Sequence, residues 1–169
     1  MVRLDDALPA LCEALEAALQ AAVPRPGASH IVLGNPAEAS AKHGETSQGR
    51  FLVTLTGLRV GAGRGAPPPG PAGSGHQPAG VLEADLLMTA DFPGQYLKGI
   101  RMMATALDWI HDHAVLSAGP AAGAGRFMVE LVDPGFEEAA SLVGMAGVNG
   151  CPFVLLRLRG LSVGGQADS

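Results

Sequence analysis

The chain has 169 residues, a length that suits one domain with a sizeable core. Apolar residues make up 47% of it, so a packed globule is expected rather than disorder. The net charge of −5 argues against a nucleic-acid binder and against a basic membrane-surface module, because both depend on Lys and Arg. The sequence has neither an apolar run long enough for a membrane span nor a secretory signal at its acidic, amphipathic start. We therefore expect a soluble protein made in the cytosol.

The chain has two cysteines, Cys12 and Cys151. Neither belongs to a Cys-x-x-Cys pair, so the sequence indicates neither a zinc site nor a disulfide framework. Two buried thiols in a reducing compartment are the simpler interpretation.

The first half of the chain predicts one helix and three strands. A stripe of leucines predicts an amphipathic helix that begins just before Pro9, because proline is tolerated near the first turn; its members are Leu4, Leu8, Leu11, Leu15 and Leu19. "HIVLG" predicts a short strand. "RFLVTLTGLRV" and "GVLEADLLMTADF" predict two more, paired as an antiparallel hairpin. The Gly/Pro-rich segment 61–80 between them is too long for a turn and too poor in anchor residues to fold alone.

The second half predicts a long helix over "DFPGQYLKGIRMMATALDWIHDH", which would pack through Ile100, Met103, Leu107 and Ile110. "RFMVELV" predicts a strand, "DPGFEEAASLVGMAG" a short helix capped by Asp133, and "CPFVLLRLRGLSV" a final strand. The expected order is α-β-β-β-α-β-α-β. We predict an α+β fold with one mixed, mostly antiparallel sheet and helices on one face. It forms a single domain over residues 1–163, with an insertion at 61–80 and a flexible tail at 164–169.

The stretch "ALDWIHDHAVL" is the strongest candidate for chemistry. It places Asp108, His111, Asp112 and His113 within six positions, as a metal site or an acid–base pair would. On a helix, however, His111 and His113 point about 200° apart. A two-histidine metal site on a helix needs a spacing of four. Histidines in a last turn are also stabilised by the helix dipole. We expect a helix end and no metal, and the alternative is a small enzyme or ligand-binding domain that uses this cluster.

No other motif supplies catalytic or cofactor-binding residues. "GAGRG" lacks the helix that a dinucleotide fingerprint requires, because "APPPGP" follows it. No cofactor is therefore expected. Arg157 and Arg159 alternate along the last strand, where they either face solvent or belong to a protein interface. That strand offers a face or an edge for another chain. The candidate interface residues are Arg64, Pro68, Arg157 and Arg159.

The layout resembles a known family. A leucine-striped helix leads to "FLVTLTGLRV", then comes a low-complexity break, then "LEADLLMTADFPGQYLKGIRMMATALDWIHDHAVL", and the chain closes on "FMVELVDPGFEEAASLVGMAGVNGCPFVLLRLRGL". This is similar to the N-terminal domain of the cap (tail-terminator) proteins of extracellular contractile injection systems of the antifeeding-prophage and virulence-cassette type. The resemblance implies a structural, non-enzymatic subunit. It also implies self-association into a hexameric ring that closes the far end of the inner tube and sheath, with assembly in the cytoplasm and sheath and inner-tube subunits as partners.

Overall fold

The structure is a computed structural model and describes residues 1–34, 49–61, 81–119, 125–147 and 150–162. The predicted insertion, apart from Gly61, and the predicted tail lie outside the described residues. The described elements are β1 (Val2–Arg3), α1 (Leu4–Ala22), β2 (Ile31–Leu33), β3 (Arg50–Gly61), β4 (Val81–Asp91), α2 (Tyr96–Asp112), β5 (Val115–Ala118), β6 (Gly125–Val132), α3 (Gly135–Ala146) and β7 (Phe153–Ser162).

All these strands belong to one sheet in the order β2-β3-β4-β7-β6-β5, and β1 pairs with the end of β7. The β1–β7 and β2–β3 pairs are parallel, and the other pairs are antiparallel. The α+β class, the mixed and mostly antiparallel sheet, the β3–β4 hairpin and the order of the expected elements are confirmed. The short strands β1 and β5 are additions that the sequence did not indicate.

Strand β7 occupies the centre of the sheet. It pairs with β4 along one side and with β6 and β1 along the other. Of the two alternatives, a face or an edge for another chain, the edge is therefore wrong, and the face stays a prediction. Its alternating arginines suggested a strand half exposed to water, but they are matched by acidic residues on the neighbouring strands.

Helices α1 and α2 cover one face of the sheet and form the core with it. Leucines of the predicted stripe are fully buried from Leu11 onward, and Met103 and Ile110 of α2 join them. Helix α1 begins at Leu4, earlier than predicted from Pro9. Its first turn is secured because β1, directly before it, is hydrogen-bonded to β7.

The buried face of α2 differs in part from the prediction. Ile100 is 40% exposed and Leu107 is only half-buried, whereas Gly99, Met102 and Ala106 are buried. The reason is that the backbone of α2 lies close to Phe92. A Cβ atom on Gly99 would lie 3.2 Å from the ring of Phe92, so the helix rests on its small residues and turns Ile100 outward.

Helix α3 lies against the opposite face of the sheet. Leu87 of β4 pairs with Leu155 of β7, and both point away from the core that Leu86 enters, because successive side chains of a strand alternate. Leu142 of α3 lines a small cavity together with Leu155 and Asp85. The prediction of helices on one face thus holds for α1 and α2, and α3 covers part of the other face.

Candidate assembly surfaces

The acidic and histidine cluster forms the C-terminal end of α2. His113 follows the last helical residue, and its backbone N–H donates to the carbonyls of Trp109 and Ile110. Its ring stacks on that of Trp109 with centroids 4.8 Å apart, and its Nδ1 lies 2.9 Å from the Trp109 carbonyl oxygen. Asp108, His111 and Asp112 are exposed. Within the described ranges, no three His, Cys, Asp or Glu residues are placed to hold a metal ion. The geometry is that of a helix end.

A network of ion pairs crosses the sheet face that α3 partly covers. Its centre is Asp85, whose side chain is 7% exposed. Arg157 donates to one Asp85 oxygen at 2.7 Å and to the other at 3.3 Å, and Arg59 reaches the second at 2.9 Å. The hydrogen bond to Asp85 raises the pKa of Arg157 above its ordinary value, although burial opposes this. Arg157, with a side chain 15% exposed, is thus held inside the fold.

Arg159 lies at the margin of the same network. It contacts Glu130 at 2.7 Å and Glu83 at 3.5 Å, and its side chain is 44% exposed. The other two candidate interface residues, Arg64 and Pro68, lie outside the described residues. Of the four candidates, Arg159 is the one that the structure describes with much of its side chain in contact with water.

Sequence reasoning missed a pocket at the start of α2. The α2 pocket, as we call it, has a volume of about 370 Å³ and lies between the Phe92–Tyr96 turn and the segment before β7. Its walls include Phe92, Pro93, Tyr96, Cys151 and Pro152. The two wall segments are far apart in the sequence, so no local pattern indicated the pocket as a whole. The sequence shows only one part of it, the turn at Pro93 and Gly94 before α2.

Both thiols are shielded to some extent. Burial raises the pKa of Cys12 to about 11, and the nearby carboxylates of Glu13 and Glu16 add to the effect. Burial, and then Asp91, also raise the pKa of Cys151. Neither cysteine forms a disulfide. The thiols are thus poorly ionised near neutral pH, which does not favour a nucleophilic role.

The exposed large apolar side chains include one on α3 and a group on β3. Phe136, in the first turn of α3, is 89% exposed, the highest value among the large apolar residues that the structure describes. The outer half of β3 exposes Leu55, Leu58 and Val60, where the three-residue strand β2 no longer covers the edge. These places are candidates for contact with other chains.

No helix in the described ranges combines the length and the apolar character that crossing a membrane requires.

Comparison with known proteins finds one family and a shared fold. A family model described as the Pvc16 N-terminal domain matches residues 10–168. The sheath/tube terminator of the extracellular contractile injection system PVC, in its extended state, has a similar structure. The TM-score is 0.56 at 15% identity, over 96% of this chain and 58% of that one. The tube-terminating cap of the anti-feeding prophage gives 0.56 at 12% identity, over 93% and 55%. No curated protein matches the chain. This chain spans little more than half the length of either solved protein.

Proposed function

Because this chain belongs to the family of the Pvc16 N-terminal domain, we propose that it is a structural subunit of the cap that terminates the tube and sheath of a contractile injection particle. One observation carries the proposal: nearly the whole chain superposes on two proteins that are themselves a sheath/tube terminator and a tube-terminating cap. Because the chain spans little more than half of each solved protein, the role of the whole cap protein is part of this proposal.

The side chains that seemed most suited to chemistry support a structural role. His113 caps and stacks on α2. The arginines of β7 pair with carboxylates of β4 and β6. Within the part of the chain that is described, these groups act on the fold itself, and we propose that the subunit is not an enzyme.

The finer proposal concerns assembly. The subunit self-associates into a ring of six copies, and this ring contacts sheath and inner-tube subunits at the far end of the particle. Assembly takes place in the cytoplasm. Arg159 is a proposed contact at the rim, where charges act mainly on the rate of association.

Deletion of the gene in a particle-producing host tests the proposal. We expect tubes and sheaths of uncontrolled length, or no complete particles, when lysates are viewed by electron microscopy. Complementation with the intact gene should restore uniform length. Particles of normal length and normal contraction in the deletion strain would contradict the cap role.

A further inference from the structure

We infer that α3 is a hinged cover, which lifts off the sheet as a unit while the rest of the fold stays intact. The inference goes beyond the proposed function, because it concerns a movement within one subunit. Three observations carry it, namely a sparse contact between α3 and the sheet, a cavity beneath the helix and a glycine at each of its ends.

The contact between α3 and the sheet is sparse. Of the α3 residues whose side chains are described, Leu142 is the one that is buried. Phe136 and Met145, near the two ends of the helix, are 89% and 75% exposed. An ion pair to the sheet adds little, because Glu138 lies 3.8 Å from Arg59 and both side chains are about half-exposed. Few buried apolar contacts are typical of a segment that opens independently of the rest of a protein.

A cavity separates α3 from part of the sheet. It has a volume of about 150 Å³ and lies between Leu142 and Glu138 of the helix and residues of the strands that include Thr56, Asp85 and Leu155. The hydroxyl and carboxylate groups in its walls offer water hydrogen-bond partners, so the space has room and partners for water. A helix above such a space lacks the close packing that holds core elements in place.

The side chain of Leu155 beneath α3 is separate from the main core. Leu155 is 3% exposed and lines the cavity, whereas its neighbour Leu156 is 0% exposed and belongs to the core formed with α1 and α2. The two lie on opposite sides of the sheet, because successive side chains of a strand alternate. Removal of α3 would therefore uncover Leu155 and leave Leu156 buried.

A glycine with positive φ stands at each end of α3. Gly135, its first residue, has a φ of +71°, and Gly147, directly after its last residue, has a φ of +64°. A Cβ atom on either glycine would meet nothing within 4 Å. Glycine adopts many backbone conformations, and here a change of conformation meets no neighbouring atom. The chain can thus turn at these two points while β6 and β7 stay paired.

Once lifted, α3 should lose its helical structure. It has 12 residues, and isolated helices of this length are marginal in water. Gly144, within the helix, lowers its helix propensity further. Opening therefore exposes the backbone amides of α3 together with Leu155. The open subunit presents an apolar surface on β7 that the closed subunit hides.

Thiol labelling at two adjacent positions of β7 tests the inference. In a Cys12→Ser and Cys151→Ser background, Leu155→Cys places a thiol under α3, and Leu156→Cys is the matched control with a thiol in the core. We expect iodoacetamide to alkylate the first at least tenfold faster than the second in native buffer, each rate being divided by that of the unfolded chain. As urea is added, the rate at position 156 should rise steeply and the rate at position 155 only weakly, because local opening exposes less surface than global unfolding.

Hydrogen exchange followed by mass spectrometry tests the same opening without new thiols, and it decides the matter if a cysteine variant does not fold. Amides throughout α3 should exchange at least tenfold faster, relative to an unstructured chain, than those of α1. Leu142→Ala should speed exchange in α3 about tenfold or more and leave α1 unchanged, since it removes the buried contact of the cover. Met145→Ala, at an exposed position of the same helix, should alter neither.

Equal relative labelling rates at positions 155 and 156 at every urea concentration would overturn the inference, because α3 would then leave the sheet only when the whole protein unfolds. Exchange of α3 amides as slow as that of α1 would overturn it too, as would a Leu142→Ala variant that speeds exchange in both helices equally. None of these outcomes affects the cap role, which the deletion strain judges separately.

Discussion

At the scale of single residues, the carboxylate of Glu16 joins one helix to one strand through four partners. It accepts hydrogen bonds from the backbone N–H groups of His30 and Ile31 at 2.8 and 2.9 Å, from the Ser29 hydroxyl at 2.6 Å and from the Gln20 side chain at 2.9 Å. Burial by itself would raise the pKa of Glu16, but these hydrogen bonds together hold it below the ordinary value. One side chain thus fastens the middle of α1 to the start of β2.

The pH dependence of Glu16→Gln tests this role. Because the folded pKa is lowered, the carboxylate stabilises the fold above its unfolded pKa, and the contribution is lost as the pH falls through the folded value. We expect Glu16→Gln to lower the free energy of unfolding by about 1–3 kcal/mol at pH 7. The difference from wild type should shrink below roughly pH 4, as measured by urea unfolding. Glu13→Gln, an exposed change on the same helix, should stay within about 0.5 kcal/mol at every pH.

Two glycines should respond to alanine in opposite directions. A Cβ on Gly125 would lie 2.6 Å from Val2 and 2.9 Å from the Met1 carbonyl oxygen, so Gly125→Ala should force β1 away and cost about 1–3 kcal/mol. A Cβ on Gly144, inside α3, meets nothing within 4 Å. Gly144→Ala should stabilise the protein by about 0.5–1 kcal/mol through helix propensity. Thermal melts measure both changes. Melting temperatures that shift in the same direction for the two variants would contradict the placement of β1.

At the scale of elements, the long and strongly patterned segments were predictable from the sequence. The leucine stripe of α1, the β-branched run of β3 and the polar–apolar alternation of β4 each extend over enough residues to indicate the type of element. The two-residue β1 and the four-residue β5 carry too few, and they exist because β7 and β6 offer them a partner. Local periodicity does not contain that information.

The orientation of α2 was predictable only in part. Its larger apolar residues suggested a face with Ile100 and Leu107, but Gly99 and Ala106 allow a closer approach of the helix to the layer beneath. The pattern of large residues cannot show where small ones are needed for contact. For the same reason the α2 pocket was not foreseen, since Tyr96 and Cys151 meet only in the folded chain.

A pair of isoleucines on α2 checks this orientation. Ile110 is 2% exposed, so Ile110→Ala should lower the free energy of unfolding by about 2–5 kcal/mol. Ile100 is 40% exposed, and Ile100→Ala should cost less than about 1 kcal/mol. Chemical denaturation of the two variants gives both values. Equal losses of unfolding free energy in the two variants would show that Ile100 is buried, as the sequence pattern suggested.

At the scale of the whole molecule, the network around Asp85 ties together β3, β4, β6, β7 and α3. Arg59 links β3 to Asp85 and lies 3.8 Å from Glu138 of α3, and Arg159 links β7 to Glu130 of β6. The alternation of Arg157 and Arg159 was visible in the sequence. Their partners were not, because cross-strand register decides which carboxylate lies opposite each arginine. Charge reversal of Arg157 would thus damage the fold, and Arg159 is the better residue for testing an interface.

Removal of Asp85 should be costly. Asp85→Ala leaves the largely buried guanidinium of Arg157 without its main partner. We expect this change to lower the free energy of unfolding by about 3 kcal/mol. This is the lower end of the usual range, because Glu83 remains 4.0 Å from Arg157. Arg159→Ala, at a more exposed pair, should cost no more than about 1 kcal/mol. Thermal melts in low salt measure both, and a loss for Asp85→Ala as small as that for Arg159→Ala would show that the network is solvated.

The central place of β7 has a kinetic consequence. During synthesis on the ribosome, β2, β3 and β4 emerge long before β7. Strand β1 cannot pair until Leu161, the partner of Val2, has been synthesised. Until then β4 and β6 both present open edges, which are templates for pairing with other nascent chains. Such a high contact order slows folding and lengthens the period in which aggregation competes with it. Folding yield in the cell should therefore depend on protection of this unfinished sheet until its middle strand arrives.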